Sequence, residues 1–326
     1  MRSFRQLLVE ILMASVLCCV STMAMAQMAY PSKPIRLLVG FPPGGFTDIA
    51  GRMAAQGLSD ALAVQVVVDN RPGANGSIAA MLTMRASPDG YTFYMASPGH
   101  VTNPILQSQT RYDPIKDFTP ISGFADIPNI LVVSPALPAR NVQEFLALAR
   151  TRSVPLTQAT TGIGAPGHLI GEFLQIVTKV KFTHVPYKGS GLIMPDLATG
   201  RVDFTFSSAA SALPHVTAGR IRALGVSGKK RAAAYPDVPT IVEAGVPGFE
   251  AVGRYALFGP AQMPPAVVDR LSSEIEAFVQ RPDIQAQLSR VGADPVTGGA
   301  KELAAFVVVD NEKWRKVIKT AKIVGD

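Results

Sequence analysis

The chain has 326 residues, 48% of them hydrophobic and 17% charged, with 28 Gly, 26 Pro and a formal net charge of +7. That balance describes a packed globular protein and excludes disordered and collagen-like chains, and about 300 residues exceed what one core covers, so two domains are expected. The only two cysteines, Cys18 and Cys19, are adjacent near the N-terminus, which excludes a disulfide framework, a zinc-thiolate site and a cysteine nucleophile further on.

In chain order, residues 1–26 read as an export signal. Arg2 and Arg5 give a positive start, residues 11–20 an apolar run, and Ala24-Met25-Ala26 a small-x-small cleavage site before Gln27. Glu10 is unusual in such a segment. A membrane anchor is the alternative, but spanning a bilayer takes roughly 20 apolar residues, twice the run present. Leu17, directly before Cys18, is too large for a lipidation box. Cleavage leaves 300 cysteine-free residues; the loss of two arginines and one glutamate sets their charge at +6. Lys and Arg are scattered, and the densest cluster, Lys229-Lys230-Arg231, has no aromatic ladder beside it. No nucleic-acid partner is therefore expected, only a solvated surface with some attraction for anions.

After the signal, β-branched apolar runs alternate with helix-period segments, the pattern of an α/β protein with parallel sheets. A first series predicts strand 35–39, helix 49–62, strand 64–68, helix 78–85 and strand 91–95. A second predicts strand 130–133, helix 142–150, strand 156–160, helix 168–177, strand 182–185, helix 193–199 and strands 203–207 and 222–226. The tail, 265–279, 284–291 and 301–317, reads as helical and needs a lobe to cover. Two similar series without a linker predict lobes that are discontinuous in sequence, 27–125 with 251–326, and 126–250, around a cleft.

Ligands of open parallel sheets bind at the carboxyl ends of strands, and two strand-to-helix turns stand out there. The first is Gly40-Phe41-Pro42-Pro43-Gly44-Gly45-Phe46-Thr47-Asp48. Its paired glycines allow close approach of a ligand, and free N–H groups at the helix start offer donors to an anion. The plainer reading is a tight turn in which Thr47 or Asp48 only caps the helix. The second is Thr160-Thr161-Gly162-Ile163-Gly164-Ala165-Pro166-Gly167-His168. It contains G-x-G-x-x-G, yet Tyr187 and Lys188 stand where a dinucleotide site needs an acid. A second amide nest for an anion fits better. On this reading Phe41, Gly44, Gly45, Asp48, Thr161, Gly162, Gly164 and His168 line the cleft.

Other signals do not carry chemistry. Ser227-Gly228-Lys229-Lys230 spells S-x-x-K without the partner motifs of penicillin-binding enzymes. His168 and Glu172 share a helix face, but no third metal ligand is in view, and a hydrogen bond at the helix start explains His168 better than zinc. His100, His184 and His215 form no triad with a serine in a nucleophile-elbow setting. Neither a catalytic residue, a metal nor a cofactor is expected.

A set of longer motifs carries a resemblance. Pro34-Ile35-Arg36-Leu37-Leu38-Val39, Phe41-Pro42-Pro43-Gly44-Gly45 with Asp48, Asn70-Arg71-Pro72-Gly73-Ala74 and Ser87-Pro88-Asp89-Gly90-Tyr91-Thr92 occur in order. His168-Leu169 with Glu172, Val185-Pro186-Tyr187-Lys188-Gly189, Pro236-Asp237-Val238-Pro239-Thr240 and Trp314 follow. Across essentially the whole mature chain this resembles the substrate-binding proteins of tripartite tricarboxylate transporters, the Bug family. The resemblance implies a two-lobed, type II-like periplasmic binding protein, each lobe a mostly parallel sheet flanked by helices. It would close by a hinge on a small mono- or dicarboxylate and act as a monomer, delivering the ligand to membrane transporter subunits or a sensor. The implied contact set is Phe41, Gly44, Gly45, Asp48, Asn75, Ser97, Thr161, Gly162, Gly164, Ala165, His168, Tyr187 and Arg254.

The sequence departs from that family at three places. Ala165 stands where Ser or Thr is usual, Arg254 where Trp is common, and Ser77 and Ala79 replace residues often polar or glycine. A cleft-facing Arg254 would grip a second carboxylate bidentately; the alternative places it in solvent beside the hinge. An exported α/β enzyme acting on a carboxylate in the same cleft remains the second functional reading.

Overall fold

The computed structural model describes residues 30–324, so the predicted signal at 1–26 lies outside the described residues. The first series forms β1 (Ile35–Val39), α1 (Phe46–Leu62), β2 (Val66–Asn70), α2 (Ser77–Met84), β3 (Thr92–Ala96) and α3 (Gly99–Leu106). β1 is buried on both faces at Leu37, Leu38 and Val39, which is why it reads as a continuous apolar run. It pairs in parallel with β2 and β3.

β4 (Phe118–Val133) is 16 residues long, about 50 Å of extended chain. The second series follows as α4 (Val142–Thr151), β5 (Leu156–Thr160), α5 (Pro166–Thr178), β6 (Phe182–Pro186), α6 (Ser190–Ala198), β7 (Phe204–Ser208), α7 (Ala209–Thr217) and β8 (Arg222–Val226). β5 pairs in parallel with β6 and β7. The chain then returns through β9 (Val252–Pro260), α8 (Pro265–Val279), α9 (Pro282–Arg290), β10 (Asp294–Pro295) and α10 (Ala300–Thr320).

The strand order is β2-β1-β3-β9-β4-β7-β5-β6, with β8 and β10 also on β4. Two lobes result, because β4 serves both ends of this path. Its N-terminal part pairs with β9, from Phe118 opposite Pro260 to Pro128 opposite Val252. Residues 129–133 pair instead with β7. Parallel pairing is confined to the outer strands, and every pairing of β4 and β9 is antiparallel.

Each lobe has its own core. Leu37, Val39, Phe93 and Met95 pack against Ala50, Ala54 and Leu58 of α1 and Leu271 and Ile275 of α8. In the other lobe Ile130, Val132 and Ala159 meet Ile193 and Leu197 of α6. A third cluster runs between them, from Tyr94 and Phe118 to Phe145, Phe204, Phe249 and Trp314. α10, the tail helix, packs against α3, β4 and α5 and so touches both lobes. Trp314 lies edge-on to Phe173 of α5, with ring centroids 6.2 Å apart.

Candidate functional site

The turn after β1 is held from behind. Asp48 accepts hydrogen bonds from the Gly44 N–H at 3.0 Å, Arg52 Nε at 3.0 Å and Asn70 Nδ2 at 2.9 Å. Asn70 Nδ2 also donates to the Phe41 carbonyl at 3.0 Å. Burial alone would raise the Asp48 carboxyl, but these bonds outweigh it and hold it below the usual carboxylate range. A Cβ on Gly40 would sit 2.6 Å from Gly76 Cα, so only glycine lets the turn lie against the following loop. In that loop Asn75 adopts φ 51°, and Asn75 Nδ2 donates to Asn103 Oδ1 at 2.9 Å.

The turn after β5 is organised from its own helix. The Gly164 N–H donates to His168 Nδ1 at 3.0 Å, so Nε2 carries the proton of the neutral ring. Nε2 faces Glu172 Oε1 at 3.7 Å. The ring stacks on His184 at 4.0 Å, and His184 in turn pairs with Thr160 Oγ1. Burial first, and His184 second, push the His168 pKa down to about 4. Gly162 and Gly164 take φ of 129° and 73°, conformations open to glycine and strained for other residues.

Both turns open on one cavity of about 670 Å³ between the lobes. Neither helix start has a side-chain cap: Gly45 precedes α1 and Ala165 precedes α5. The first N–H groups of α1, and in α5 those that follow Pro166, which has none, are therefore uncapped and, with the positive end of each helix dipole, open to an anion. Of the residues picked from sequence, Phe41, Gly45, Asn75, Ser97, Thr161, Gly164 and Ala165 line this cavity.

Six others do not line it, each for a visible reason. Gly44 points its N–H at Asp48, and Asp48 is 2% exposed behind the turn. The Gly162 N–H is directed to Thr160 Oγ1 at 3.2 Å. His168 is buried and committed to Gly164. The Tyr187 hydroxyl donates to Asp196 of α6 at 2.8 Å. Arg254 neither grips the cleft nor faces solvent: its Nε and Nη2 bind the two Asp126 oxygens at 2.9 and 2.7 Å, and its guanidinium lies over Phe306.

The rest of the lining was not picked from sequence. Phe46 and Thr47 follow Gly45; Pro98, Gly99, Thr102, Asn103, Leu106, Gln107 and Gln109 come from α3 and its ends. Asn129, Ile163, Pro166, Leu169, Ile170, Val252, Gly253, Tyr255 and Trp314 complete it. α3 carries Pro104, which hides its helical period. Trp314 stood out in sequence only as a motif residue, with nothing to place it in the cleft.

Among the described residues no group of three His, Cys, Asp or Glu side chains is placed to hold a metal. Nor is any described helix long and apolar enough to cross a membrane. Residues 50–323 match the family model described as "Tripartite tricarboxylate transporter family receptor". The chain belongs to this receptor family. It is 37% identical to the "UPF0065 protein in tcbD-tcbE intergenic region" of Pseudomonas sp. (strain P51) over 299 residues, 91% of this chain and 89% of that one. The solved structure "R. palustris Rpa4515 with adipate" is 36% identical with a TM-score of 0.73, covering 91% of this chain and all of that one. MatC from Rhodopseudomonas palustris with bound malate is 28% identical with a TM-score of 0.69, covering 89% of this chain and 100% of that one. The cleft lies between two lobes, and among the described residues its lining carries no acidic or basic side chain.

Proposed function

We propose that this protein is an extracytoplasmic solute receptor that holds a small carboxylate in the interlobe cleft and delivers it to a membrane transporter. The observation that carries this reading is the convergence of two uncapped helix starts, α1 and α5, on one cavity. Backbone N–H groups and helix dipoles then supply the positive potential that a carboxylate needs, without a metal. Adipate and malate, bound by two structural neighbours, belong to the same chemical class. The absence of acid and base side chains from the lining favours a receptor over an enzyme acting in the same place. Export to the periplasm would follow cleavage before Gln27, and N-terminal sequencing of the secreted protein tests it.

The lobes on this reading are 27–125 with 251–326, and 126–250. Support comes from β4 and β9, which run side by side where the two halves of the sheet meet. Structures with and without ligand should differ by rotation about residues near 126 and 251.

Gly45→Val gives a clean test of the site. Gly45 has an ordinary φ of −80°, and a Cβ there meets nothing within 4 Å, so the fold tolerates the change. The branched side chain would stand where the carboxylate approaches. Mass spectrometry of molecules released by denaturing the wild-type protein should find a carboxylate, and calorimetry with that molecule should show at least tenfold weaker binding to the variant. Unchanged affinity would remove the helix starts from the site.

A further inference from the structure

Ser227, whose S-x-x-K motif carries no chemistry in sequence, is wholly buried and uses every polar group it has. Its hydroxyl accepts from the Asn129 N–H at 2.9 Å and donates to the Ala251 carbonyl. Its N–H donates to the Asn129 carbonyl, and its carbonyl accepts from the Ala251 N–H, both at 2.8 Å. Ser227 thus cross-links the two segments that pass between the lobes. Asn129 is where β4 leaves β9 for β7, and Ala251 directly precedes β9.

With its main chain fixed in this way, Asn129 lines the cavity together with Val252 and Gly253 of the other crossing segment. The residue is 9% exposed. Among the described residues its carboxamide has no hydrogen-bond partner, although its main-chain N–H and carbonyl are both paired with Ser227. Its polar atoms are not sealed from the cavity either: the orphan that is fully buried among the described residues is Asp310 Oδ1. The other amides of the wall differ. Asn75 and Asn103 bind one another, Gln107 accepts from Ser77 and Thr110, and Gln109 is exposed.

Water serves the Asn129 amide while the cleft is empty. Once a ligand expels that water, the amide is stranded unless the ligand supplies a partner, and a stranded buried amide is costly. A carboxylate offers only acceptors, and the wall holds no Lys, Arg or His to compete for them. The amide must therefore meet it with Nδ2–H.

We infer that Asn129 is a specificity-determining ligand contact on the floor of the cleft, its Nδ2–H donating to a ligand oxygen. This deepens the receptor reading above and rests on it. A ligand that carries no oxygen at this place is rejected because it leaves the amide unpaired. Ser227 holds the same residue to both crossing segments, so the contact is made where the lobes join.

The test sets affinity against stability. Calorimetry on the mature protein, unfolded and refolded to remove carried ligand, uses acetate, hexanoate, succinate, malate, adipate and terephthalate as probes, and the tightest of them is carried to the variants. Asn129→Leu keeps the size of the side chain and removes both polar atoms; Asn129→Ala removes them without crowding. Each should bind the probe at least tenfold more weakly, while the urea midpoint of the ligand-free protein stays at or above that of the wild type. An amide that serves the fold would give the opposite pattern, a lower midpoint. Where one of the two variants is destabilised by packing, the other decides. Asn129→Asp keeps the shape and replaces the donor with an acceptor, and should show no measurable binding. Affinity within tenfold of the wild type in the Leu or Ala variant, a lowered midpoint in both, or measurable binding by the Asp variant would overturn the inference and leave the receptor reading intact. No binding of any of the six acids by the wild type would overturn the receptor reading together with the inference.

Discussion

Asp48 lies in the first turn of α1, yet its charge is spent behind the turn and does not face the cavity. Replacing it with Ala strands the Gly44 N–H, leaves the Asn70 amide only the Phe41 carbonyl, and takes from Arg52 its carboxylate partner. Asp48→Ala should therefore lower unfolding stability by about 2 kcal/mol; an unchanged urea midpoint would show that this network carries no stability. The histidines make a second residue-scale prediction. His100 is 5% exposed, accepts from the Tyr94 hydroxyl at Nδ1 and donates from Nε2 to the Pro114 carbonyl at 3.0 Å. Burial pushes its pKa down to about 4, against 6.5 in the unfolded chain. Between those values the unfolded chain binds a proton that the folded one refuses, so stability present above 6.5 is lost as pH falls toward 4. His168 acts in the same direction, whereas Glu172 and Asp310, raised by burial, act in the opposite one. The His100 ring should titrate near 4 by NMR. His100→Gln should remove on the order of 3 kcal/mol of the acid-side loss. A ring titrating near its ordinary value would contradict the burial argument.

Helices in this protein divide by how they begin. α4 is closed by Asn141, whose side chain accepts from the Glu144 N–H at 2.8 Å, while Glu144 reaches back to the Arg140 N–H at 2.7 Å. This is a capping arrangement of a structural helix. Asn141→Ala should cost about 1 kcal/mol in thermal or urea unfolding and leave carboxylate affinity untouched. A loss of affinity would mean that α4 communicates with the cleft. α1 and α5, by contrast, begin on Gly45 and Ala165 with no side chain at the cap. Their glycine-rich turns were legible in sequence because the chemistry of anion binding is backbone chemistry and glycine marks it. β1, β5 and β8 were legible to the residue, β1 as a short apolar run with clear ends. The N-terminal half of β4 was not, since Pro120, Gly123 and Pro128 break its pattern. Its register with β9 shifts between Pro120 and Ser122 and again between Gly123 and Ala125, and those irregularities absorb the breakers. β9 escaped for a similar reason, with Gly253, Arg254, Gly259 and Pro260 disguising a strand. The lining contributed by these strands, Asn129, Val252, Gly253 and Tyr255, was lost with them.

At the scale of the molecule, Arg254 ties three elements where the lobes join. It faces Asp126 across the β4–β9 ladder and lies 3.8 Å from the centroid of Phe306 on α10. Asp126 also stands opposite Asp294 of β10. Burial first, and the Asp126 charge second, raise the Asp294 carboxyl. Removing the guanidinium would leave two carboxylates side by side, so Arg254→Met should destabilise the fold by about 2 kcal/mol. Because Arg254 is outside the cleft lining, the affinities for a monocarboxylate and its dicarboxylate partner should change by the same factor. A selective loss of the dicarboxylate would place Arg254 at the ligand after all.

Trp314 is the single tryptophan of the whole chain. It projects from a helix that touches both lobes and borders the cavity, against Phe173 on α5. The native protein thus carries its own optical probe at the place where solvent is expelled when a ligand seats. Titrating an unlabelled solute should shift the indole emission along a one-site isotherm whose midpoint agrees with calorimetry. Stopped-flow recording of the same signal would then time the closing of the lobes, with no dye attached and no residue replaced.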